Sequence, residues 1–381
     1  KVKSVIFLNM AGGMSHIDTF DPKPGNGPFG SVDSSIKGVK ISDRLSLTAK
    51  ELHRINLIRS LTSETGDHEA ASHLQHSGHK VRAGFSDIPS MGAVIASLKT
   101  KPGPYFPSHV TIGSRGGIVG RGGFLGNNFA SFHVSNVDKP LNHLYPSGGK
   151  SSEERMYRRE NMLSLLNETF EETISAQSID VWKEMFRSSL DFMGSDRLSV
   201  FEISQENDAT KKKFGDSSIS KSLLLALRLA RSGIPFIEVT IGGFDTHNNN
   251  KAQLEKILGE LDRPLSALLG ELGSSGLIDE TVFVLCSEFG RTPRLTNNGD
   301  GRDHYPQAWS ILLGGGAMKG GRLIGTTNAS GERAESPIPA ASMNASIYKA
   351  AGINYQATMY TSFGRPFPIV PDGEAIKDLF R

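Results

Sequence analysis

The sequence predicts an α/β fold built on a largely parallel sheet, and two observations support this prediction. Helical and strand-like stretches alternate from Ser220 to Leu313, which is the pattern of strands joined by crossover helices. The runs Val282–Cys286 and Trp309–Leu313 are short and apolar throughout, as expected of strands buried on both faces. A chain of 381 residues with 37% hydrophobic and 22% charged residues is long enough for one large domain of this class or two smaller ones.

Four further apolar runs predict strands, and each is followed by polar residues or glycines. They are Val2–Met10, Ile55–Ser60, His109–Ile112 and Phe236–Ile241. Helical spacing predicts helices at Leu45–Leu52, Met91–Leu98, Ser220–Ser232, Leu254–Leu272 and Ser342–Ala351. We expect Ser131–Gly149 to be irregular. The glycine-rich segment Gly113–Gly126 matches neither common phosphate-binding motif and therefore predicts a surface loop.

One segment predicts helices without any strand. Ser151–Leu198 has acidic residues near its start, contains no proline and lacks the alternation of a strand. We therefore predict a single domain over residues 1–381, with a helical insert at 151–215 that lies outside the central sheet.

Composition and charge limit the classes of function. The net charge of +2 does not by itself indicate an anionic partner, and a solvated helix face explains the Lys211–Lys213 run, so we predict no nucleic-acid partner. No stretch is long enough to span a membrane. The single cysteine, Cys286, excludes an internal disulfide and lies in a predicted strand, as a small buried residue. The chain shows no signal peptide, but it opens almost directly on a strand, as a processed protein would.

Polar side chains cluster just after four of the predicted strands. Because ligands of parallel α/β sheets bind beside the carboxyl ends of the strands, this placement predicts a site there. We expect Asp18, Asp245, Glu288 and His304 to converge in space. The four clusters are His16 with Asp18, Thr62 and Ser63 with His68, Asp245 with His247, and Glu288 with Asp303 and His304.

These residue types predict a metal-dependent reaction. Carboxylates together with imidazoles suit zinc, manganese or iron, and carboxylates alone suit calcium or magnesium. Two metal ions about 3.5–4 Å apart can stabilise both the attacking and the leaving oxygen of a displacement at phosphorus or sulfur. Thr62 or Ser63, expected near a helix amino terminus, is the candidate nucleophile. Arg291 or Arg302 is the candidate for holding a tetrahedral oxyanion.

Simpler structural explanations remain open for the same residues. His16 and His68 can be polar loop residues, and Asp245 can be the N-cap of the helix that follows it. Asp303 can serve only to orient His304. A wet helix face explains three histidines at three-residue steps, His73, His76 and His79.

Five strings in the sequence resemble the DUF1501 family, a sulfatase-like family of the alkaline phosphatase superfamily. They are MAGGMSHIDTFDPKPG, GGFDTH, SEFGRTP, GRDHYPQAWSILLGGGAMKGG and FGRP, and the resemblance extends from Val5 to Phe380. It implies an α/β/α sandwich around a mixed, largely parallel sheet. It also implies export through a cleaved twin-arginine signal.

The metal-ligand pairs of the superfamily match this sequence only in part. The usual Asp–His pair of one metal site falls at Glu288 and Phe289. The aspartate of the other site matches Asp245, but Asn249 stands where a histidine is usual, and His304 resembles the closing histidine. These departures argue against a two-metal centre and leave one metal ion, or none, as the expectation.

The sequence therefore predicts a periplasmic or extracellular hydrolase that cleaves phosphate or sulfate esters of small molecules or polysaccharides. It would use a Ser/Thr nucleophile and a divalent metal, namely zinc, manganese or calcium. The alternative is a catalytically silent, sulfatase-like binding or assembly protein of the cell envelope, because a fold does not fix a function. Metal content distinguishes the two predictions. The oligomeric state is left open.

Overall fold

In this computed structural model, the described residues form a nine-stranded mixed sheet at the centre of the fold. The structure describes all residues except 82–86, 102, 104, 143, 145–157, 159–160, 163–175 and 297–298, together with the side chains of 176–182. No helix in the described part of the chain has the length and hydropathy needed to cross a bilayer.

The strands of the central sheet come from the whole length of the chain. They are β1 (Ser4–Met10), β4 (Asn56–Thr62), β5 (His109–Gly113), β6 (Phe132–Val134), β7 (Phe236–Ile241), β8 (Thr281–Cys286), β11 (Trp309–Gly315), β12 (Leu323–Ile324) and β13 (Ile338–Pro339). Small antiparallel ribbons pair β2 (Ser31–Asp33) with β3 (Lys40–Ser42), β9 (Gly290–Arg291) with β10 (His304–Tyr305), and β14 (Thr358–Tyr360) with β15 (Pro366–Pro368).

The strand order is β12-β4-β11-β8-β1-β7-β5-β6, with β13 beside β4. Strands β8, β1, β7, β5 and β6 are parallel, whereas β11 is antiparallel to both β8 and β4. The helix–strand alternation alone predicts a parallel strand at β11. It runs the other way, and no α-helix lies among the described residues between β8 and β11, whereas a parallel connection usually contains one. As a result, the carboxyl ends of β1, β4, β7 and β8 and the amino end of β11 share one edge of the sheet.

Helices cover both faces of the sheet, which confirms the α/β/α architecture. Alternate side chains of β1 point to opposite faces. Ile6 and Leu8 belong to one core with α6 (Ser218–Arg231) and α7 (Asn250–Ser274), while Val5 and Phe7 belong to another with α3 (Met91–Lys99) and α8 (Ala340–Ala350). The helices are α1 (Ser46–Ala49), α2 (His68–Ser77), α3 (Met91–Lys99), α4 (Ala176–Met193), α5 (Asp208–Phe214), α6 (Ser218–Arg231), α7 (Asn250–Ser274) and α8 (Ala340–Ala350).

The predicted helical insert at 151–215 is only partly described. Residues 151–157, 159–160 and 163–175 lie outside the described residues. From 176 to 214 the chain forms α4, two 3₁₀ turns at Asp196–Phe201 and Ile203–Gln205, and α5. The division into one domain with an insert stays a prediction.

Two local predictions are wrong. The segment expected to be irregular contains β6, which pairs with β5 through backbone hydrogen bonds. His76 does not lie on a wet helix face, because it is 3% exposed and its Nε2 lies 3.0 Å from Glu238 Oε1 in β7. Cys286 is buried as predicted, and this burial raises the pKa of its thiol well above the ordinary value.

Candidate metal centre

A glycine turn after β1 brings three loops of the sheet edge together. Gly12 has a φ of 116°, and a Cβ at this position would collide with the backbone of Phe244 and Asp245 after β7. The Gly12 N–H donates to Glu288 Oε1 at 2.9 Å, just beyond β8. The glycine therefore allows the β1 and β7 loops to approach each other closely, and its amide fixes Glu288.

One oxygen of Asp245 faces three imidazoles. Asp245 Oδ1 lies 3.1 Å from His247 Nε2, 3.5 Å from His304 Nε2 and 3.6 Å from His68 Nε2. The Nε2 atoms of His247 and His304 are 3.0 Å apart. Ligand atoms of His68, Asp245 and His304 all lie within 4.8 Å of one another. These residues follow β4 and β7 and precede β11, so the strand directions bring them to one edge.

Each of the three imidazoles is held through its Nδ1 atom. His304 Nδ1 donates to Gly66 O at 2.7 Å, His68 Nδ1 to Glu288 Oε1 at 2.8 Å, and His247 Nδ1 to Asp303 Oδ1 at 3.0 Å. Carbonyl and carboxylate oxygens only accept, so the proton lies on Nδ1 and the Nε2 atoms face Asp245. Metal-binding histidines are commonly oriented in this way.

Asp303 thus orients His247, and the Gly66 carbonyl orients His304. The sequence alone suggests Asp303 as the partner of His304. Asp245 does not cap α7, whose N-cap is Asn249 in a left-handed conformation with a φ of 53°.

The donor set fits a small divalent cation. Metal–ligand bonds of about 2.0–2.1 Å in a tetrahedral site separate the ligand atoms by about 3.3 Å. The three separations from Asp245 Oδ1 are 3.1 to 3.6 Å, and the Nε2 atoms of His247 and His304 are 3.0 Å apart. His68 Nε2 is buried without a hydrogen-bond partner among the described residues. Neutral imidazoles whose lone pairs face one another repel unless a proton or a cation lies between them, and imidazole with carboxylate suits zinc, manganese or iron.

Burial and neighbouring groups shift the pKa values of several residues in the cluster. The hydrogen bond to Glu288 raises the pKa of His68 above its ordinary value. Burial acts to raise the pKa of Glu288, but hydrogen bonds from His68 and the backbone hold it below the usual range. Burial likewise acts against ionisation of Asp245, and the bond from Arg291 lowers its pKa nonetheless. Burial lowers the pKa of His304, which favours the neutral ring that a metal needs.

Arg291 is fully buried beneath the cluster. Its Nε donates to Gly13 O at 3.1 Å and its Nη1 to Arg302 O at 2.8 Å, while its Nη2 donates to Gly12 O and to Asp245 Oδ1. The guanidinium therefore binds the carboxylate that faces the histidines. It is not exposed to a substrate.

Asp18 and Arg302 form a second buried group. Arg302 Nε and Nη2 donate to the two carboxylate oxygens of Asp18 at 2.6 and 2.9 Å, and Asn250 Nδ2 donates to Asp18 at 3.1 Å. The structure therefore places Asp18 in an ion pair rather than beside Asp245. His16 also lies apart, with its Nε2 2.9 Å from Gly331 O, and burial lowers its pKa. The remaining Arg302 N–H groups donate to the carbonyls of Asn26, Thr292 and Pro293.

The two candidate nucleophiles line a cavity of about 1160 Å³. Thr62 is the last residue of β4, and Ser63 Oγ donates to Thr65 O at 3.2 Å. Neither is at a helix amino terminus, because α2 begins at His68 and is capped by Asp67. Thr62–Thr65 lie along the cavity, and the same segment leads to His68. Tyr305, the neighbour of His304, also lines the cavity.

Two contributors to the site carry no clear sequence signal. Gly66 acts through its carbonyl, which every residue possesses. Asn250 reaches Asp18 from the first turn of α7. The sequence indicates His68 as a residue following a strand, but only the structure shows its Nε2 facing Asp245. The sequence signal for the position of His68 is that α2 begins there, directly after the loop that follows β4.

A family model described as a protein of unknown function, DUF1501, matches residues 2–380. No curated protein matches the sequence.

Solved structures with a related arrangement were found at low similarity. The lipoteichoic acid synthase LtaP from Listeria monocytogenes is 10% identical, with 97% of this chain and 74% of that chain covered and a TM-score of 0.43. The PsFucS1 sulfatase from Pseudoalteromonas sp. is 10% identical, with 93% and 68% covered and a TM-score of 0.42. The alkaline phosphatase from the Antarctic bacterium TAB5 is 13% identical, with 93% and 98% covered and a TM-score of 0.43. Likenesses at this level carry no conclusion about activity.

Proposed function

The chain belongs to the DUF1501 family, whose function is unknown, and we propose that it is a metal-dependent hydrolase of phosphate or sulfate esters. One observation carries the proposal: His68, His247 and His304 are each fixed through Nδ1, and their Nε2 atoms face the same oxygen of Asp245. Hydrogen bonding alone does not require the Nε2 atoms of three imidazoles to face one carboxylate oxygen. A bound cation does require its ligand atoms to converge in this way.

His68, Asp245 and His304 would hold the metal, with His247 beside them. When bound there, a divalent cation supplies Lewis acidity toward an ester oxygen. Glu288 keeps the His68 proton on Nδ1, and the Gly66 carbonyl does the same for His304. The side chain of Asp245 is 50% exposed, so the centre is open to a ligand from solvent.

Thr62 or Ser63 stays the proposed nucleophile. Attack by either hydroxyl would form a bond from its oxygen to phosphorus or sulfur and release the alcohol of the ester. A hydroxyl needs activation by a base or a metal at neutral pH. The cavity that both residues line leaves room for an ester of a small molecule or a polysaccharide.

The test follows release of phosphate and sulfate from 4-nitrophenyl esters, with zinc, manganese or calcium added in turn. We expect turnover in the wild type, and losses of roughly 10²–10⁴-fold in Asp245→Asn and His304→Ala, the range for loss of an activating group. Both variants should keep the wild-type circular dichroism spectrum, since Asp245 lies on a loop and His304 in the short β9–β10 ribbon, outside the central sheet. The matched control is His53→Ala at an exposed histidine that bonds Ser35 and Lys50 outside the centre.

A catalytically silent binding protein is the second candidate, and the two arginines favour it. Arg291 and Arg302 are fully buried and bonded within the protein, so neither is placed to hold an oxyanion. Elemental analysis separates the two candidates. Protein without bound metal and without turnover under any added ion would support the silent protein and contradict the hydrolase.

Export, implied by the family resemblance, is also a proposal. Cell fractionation of a producing bacterium that carries the full-length gene tests it. Recovery of the protein in the cytoplasmic fraction alone would contradict export without bearing on the hydrolase chemistry.

A further inference from the structure

Arg291 binds the same carboxylate oxygen that faces the histidines. Its Nη2 donates to Asp245 Oδ1, while His68, His247 and His304 approach that oxygen with their Nε2 atoms. In the β9–β10 ribbon, Arg291 is paired directly with His304. Arg291 is therefore attached to the centre through both its backbone and its side chain.

This positive charge is permanent. An arginine side chain does not lose its proton in a protein. Three backbone carbonyls, those of Gly12, Gly13 and Arg302, accept from the same guanidinium and hold it in place. Since the side chain of Arg291 has no exposed surface, it cannot turn away from Asp245 without breaking these bonds.

Formal charges around the centre balance with a single divalent ion. Asp245, Glu288 and Asp303 contribute three negative charges, and Arg291 contributes one positive charge. The net charge of minus two, with the histidines neutral, is cancelled by one divalent cation. The buried pair of Asp18 and Arg302 cancels itself and does not alter this count.

The remaining carboxylates nearby accept hydrogen bonds within the protein, and Asp303 does so through Oδ1 from His247 Nδ1. Glu288 Oε1 accepts from Gly12 N and His68 Nδ1, and Glu288 Oε2 accepts from Ser287 Oγ at 3.0 Å. Both oxygens of Asp18 accept from Arg302. Within the described ranges, Asp245 and His304 lie close enough to share one ion with His68 or with His247, and all three imidazoles face the same Asp245 oxygen. A second ion would therefore compete with hydrogen bonds that Glu288, Asp18 and Asp303 already accept.

We propose that Arg291 serves as a fixed second cation of this centre, so that the site takes one divalent metal ion and not two. Arg291 is a positioning residue, because it acts through Asp245 and does not touch the substrate. The inference rests on the metal centre proposed above. It adds the residue that limits the site to one ion.

The test measures metal stoichiometry, not activity. The purified chain is freed of metal with a chelator, titrated with zinc chloride in a calorimeter, and analysed for zinc after dialysis. We expect one equivalent per chain. Two equivalents at the centre would overturn this inference and leave the hydrolase proposal standing, whereas no binding would overturn the metal centre itself and the inference with it.

Variants separate the charge of Arg291 from its structural role. Arg291→Lys keeps the cation and should retain the wild-type zinc affinity within about threefold. Arg291→Gln removes the cation beside Asp245 and should bind zinc at least tenfold more tightly, because like charges no longer repel. The matched control is Arg59→Gln, since Arg59 is a largely buried arginine that pairs with Asp21 elsewhere. It should lose stability without a change in zinc affinity.

Equal or weaker zinc binding in Arg291→Gln would overturn the charge argument. If Arg291→Gln does not fold, the wild-type stoichiometry still decides between one ion and two. Binding of two ions by Arg291→Lys would also contradict the proposal, since the positive charge is kept in that variant.

Discussion

At the scale of single residues, His109 is a buried imidazole with one unsatisfied nitrogen. Its Nδ1 donates to Phe129 O at 3.2 Å, and its Nε2 has no hydrogen-bond partner among the described residues. A proton added to Nε2 would therefore be buried without an acceptor. Burial lowers the pKa of His109 to about 4, although the negative charge of Glu238 acts in the opposite direction.

This lowered pKa makes stability depend on pH. Between pH 6.5 and about 4 the unfolded chain binds a proton at His109 that the folded chain does not, so the free energy of unfolding falls as the pH falls. The shift corresponds to roughly 3 kcal/mol when fully developed. In His109→Asn, the asparagine amide can replace the Nδ1 donor, and no group at this position binds a proton. The free energy of unfolding of this variant should therefore lack the His109 contribution to the acid loss. The difference in this free energy between the variant and the wild type should narrow toward pH 4.

Urea unfolding at pH 7, 5.5 and 4.5 measures the gap. His53→Asn, at an exposed histidine, should follow the wild-type pH dependence. A gap between His109→Asn and the wild type that stays constant over this range would show that His109 does not contribute to the acid loss of stability.

At the scale of elements, α3 packs so closely on the sheet that one position accepts only glycine. A Cβ on Gly92 would collide with the His109 ring and lie 2.7 Å from Phe236 Cδ1. Gly259 in α7 differs, because it is exposed, and apart from its chain neighbours and the backbone of its own helix no atom lies within 4 Å of the place that a Cβ would occupy. Both residues are helical, so both replacements gain the same intrinsic helix propensity.

Alanine at these two glycines should therefore have opposite effects. Gly259→Ala should stabilise the protein by up to about 1 kcal/mol, the difference in helix propensity. Gly92→Ala gains the same amount but overpacks the α3–sheet contact at a cost of about 1–3 kcal/mol, so the net effect is destabilising. Chemical denaturation of the two variants measures whether each substitution raises or lowers the free energy of unfolding. Stabilisation by Gly92→Ala would contradict the close α3 packing.

Polar contacts also fix α2 on the sheet. They explain why the prediction of a wet helix face at His76 is wrong. Gln75 Nε2 lies 3.1 Å from Asn9 Oδ1 and 3.1 Å from Cys286 Sγ, and His76 binds Glu238. Histidines at three-residue steps on a helix indicate a solvated face when the hydrogen-bond partner of each imidazole is not known. Glu238 lies within an apolar strand far along the chain, so no local pattern reveals that His76 turns inward.

At the scale of the whole molecule, local signals predicted the elements and long-range contacts decided the site. Apolar runs marked β1, β7 and β8 because burial on both faces demands them. The loops that follow β7 and β8 also predict Asp245, Glu288 and His304 at one edge. The choice of partner could not be predicted: Asp18 pairs with Arg302 across 284 residues, and this pairing separates it from the cluster.

The last prediction concerns the stability of the whole chain in the presence of metal. Because the proposed ligands come from loops beside β4, β7 and β11, an ion bound only by the folded state links distant parts of the sheet edge. Free zinc at 100 times its dissociation constant should add about 2.7 kcal/mol to the free energy of unfolding. With an unfolding entropy of about 2.1 cal/mol/K per residue, a chain of 381 residues should gain about 3 °C in Tm. His304→Ala should lose this gain, His53→Ala should keep it, and an equal gain in all three proteins would place the ion elsewhere.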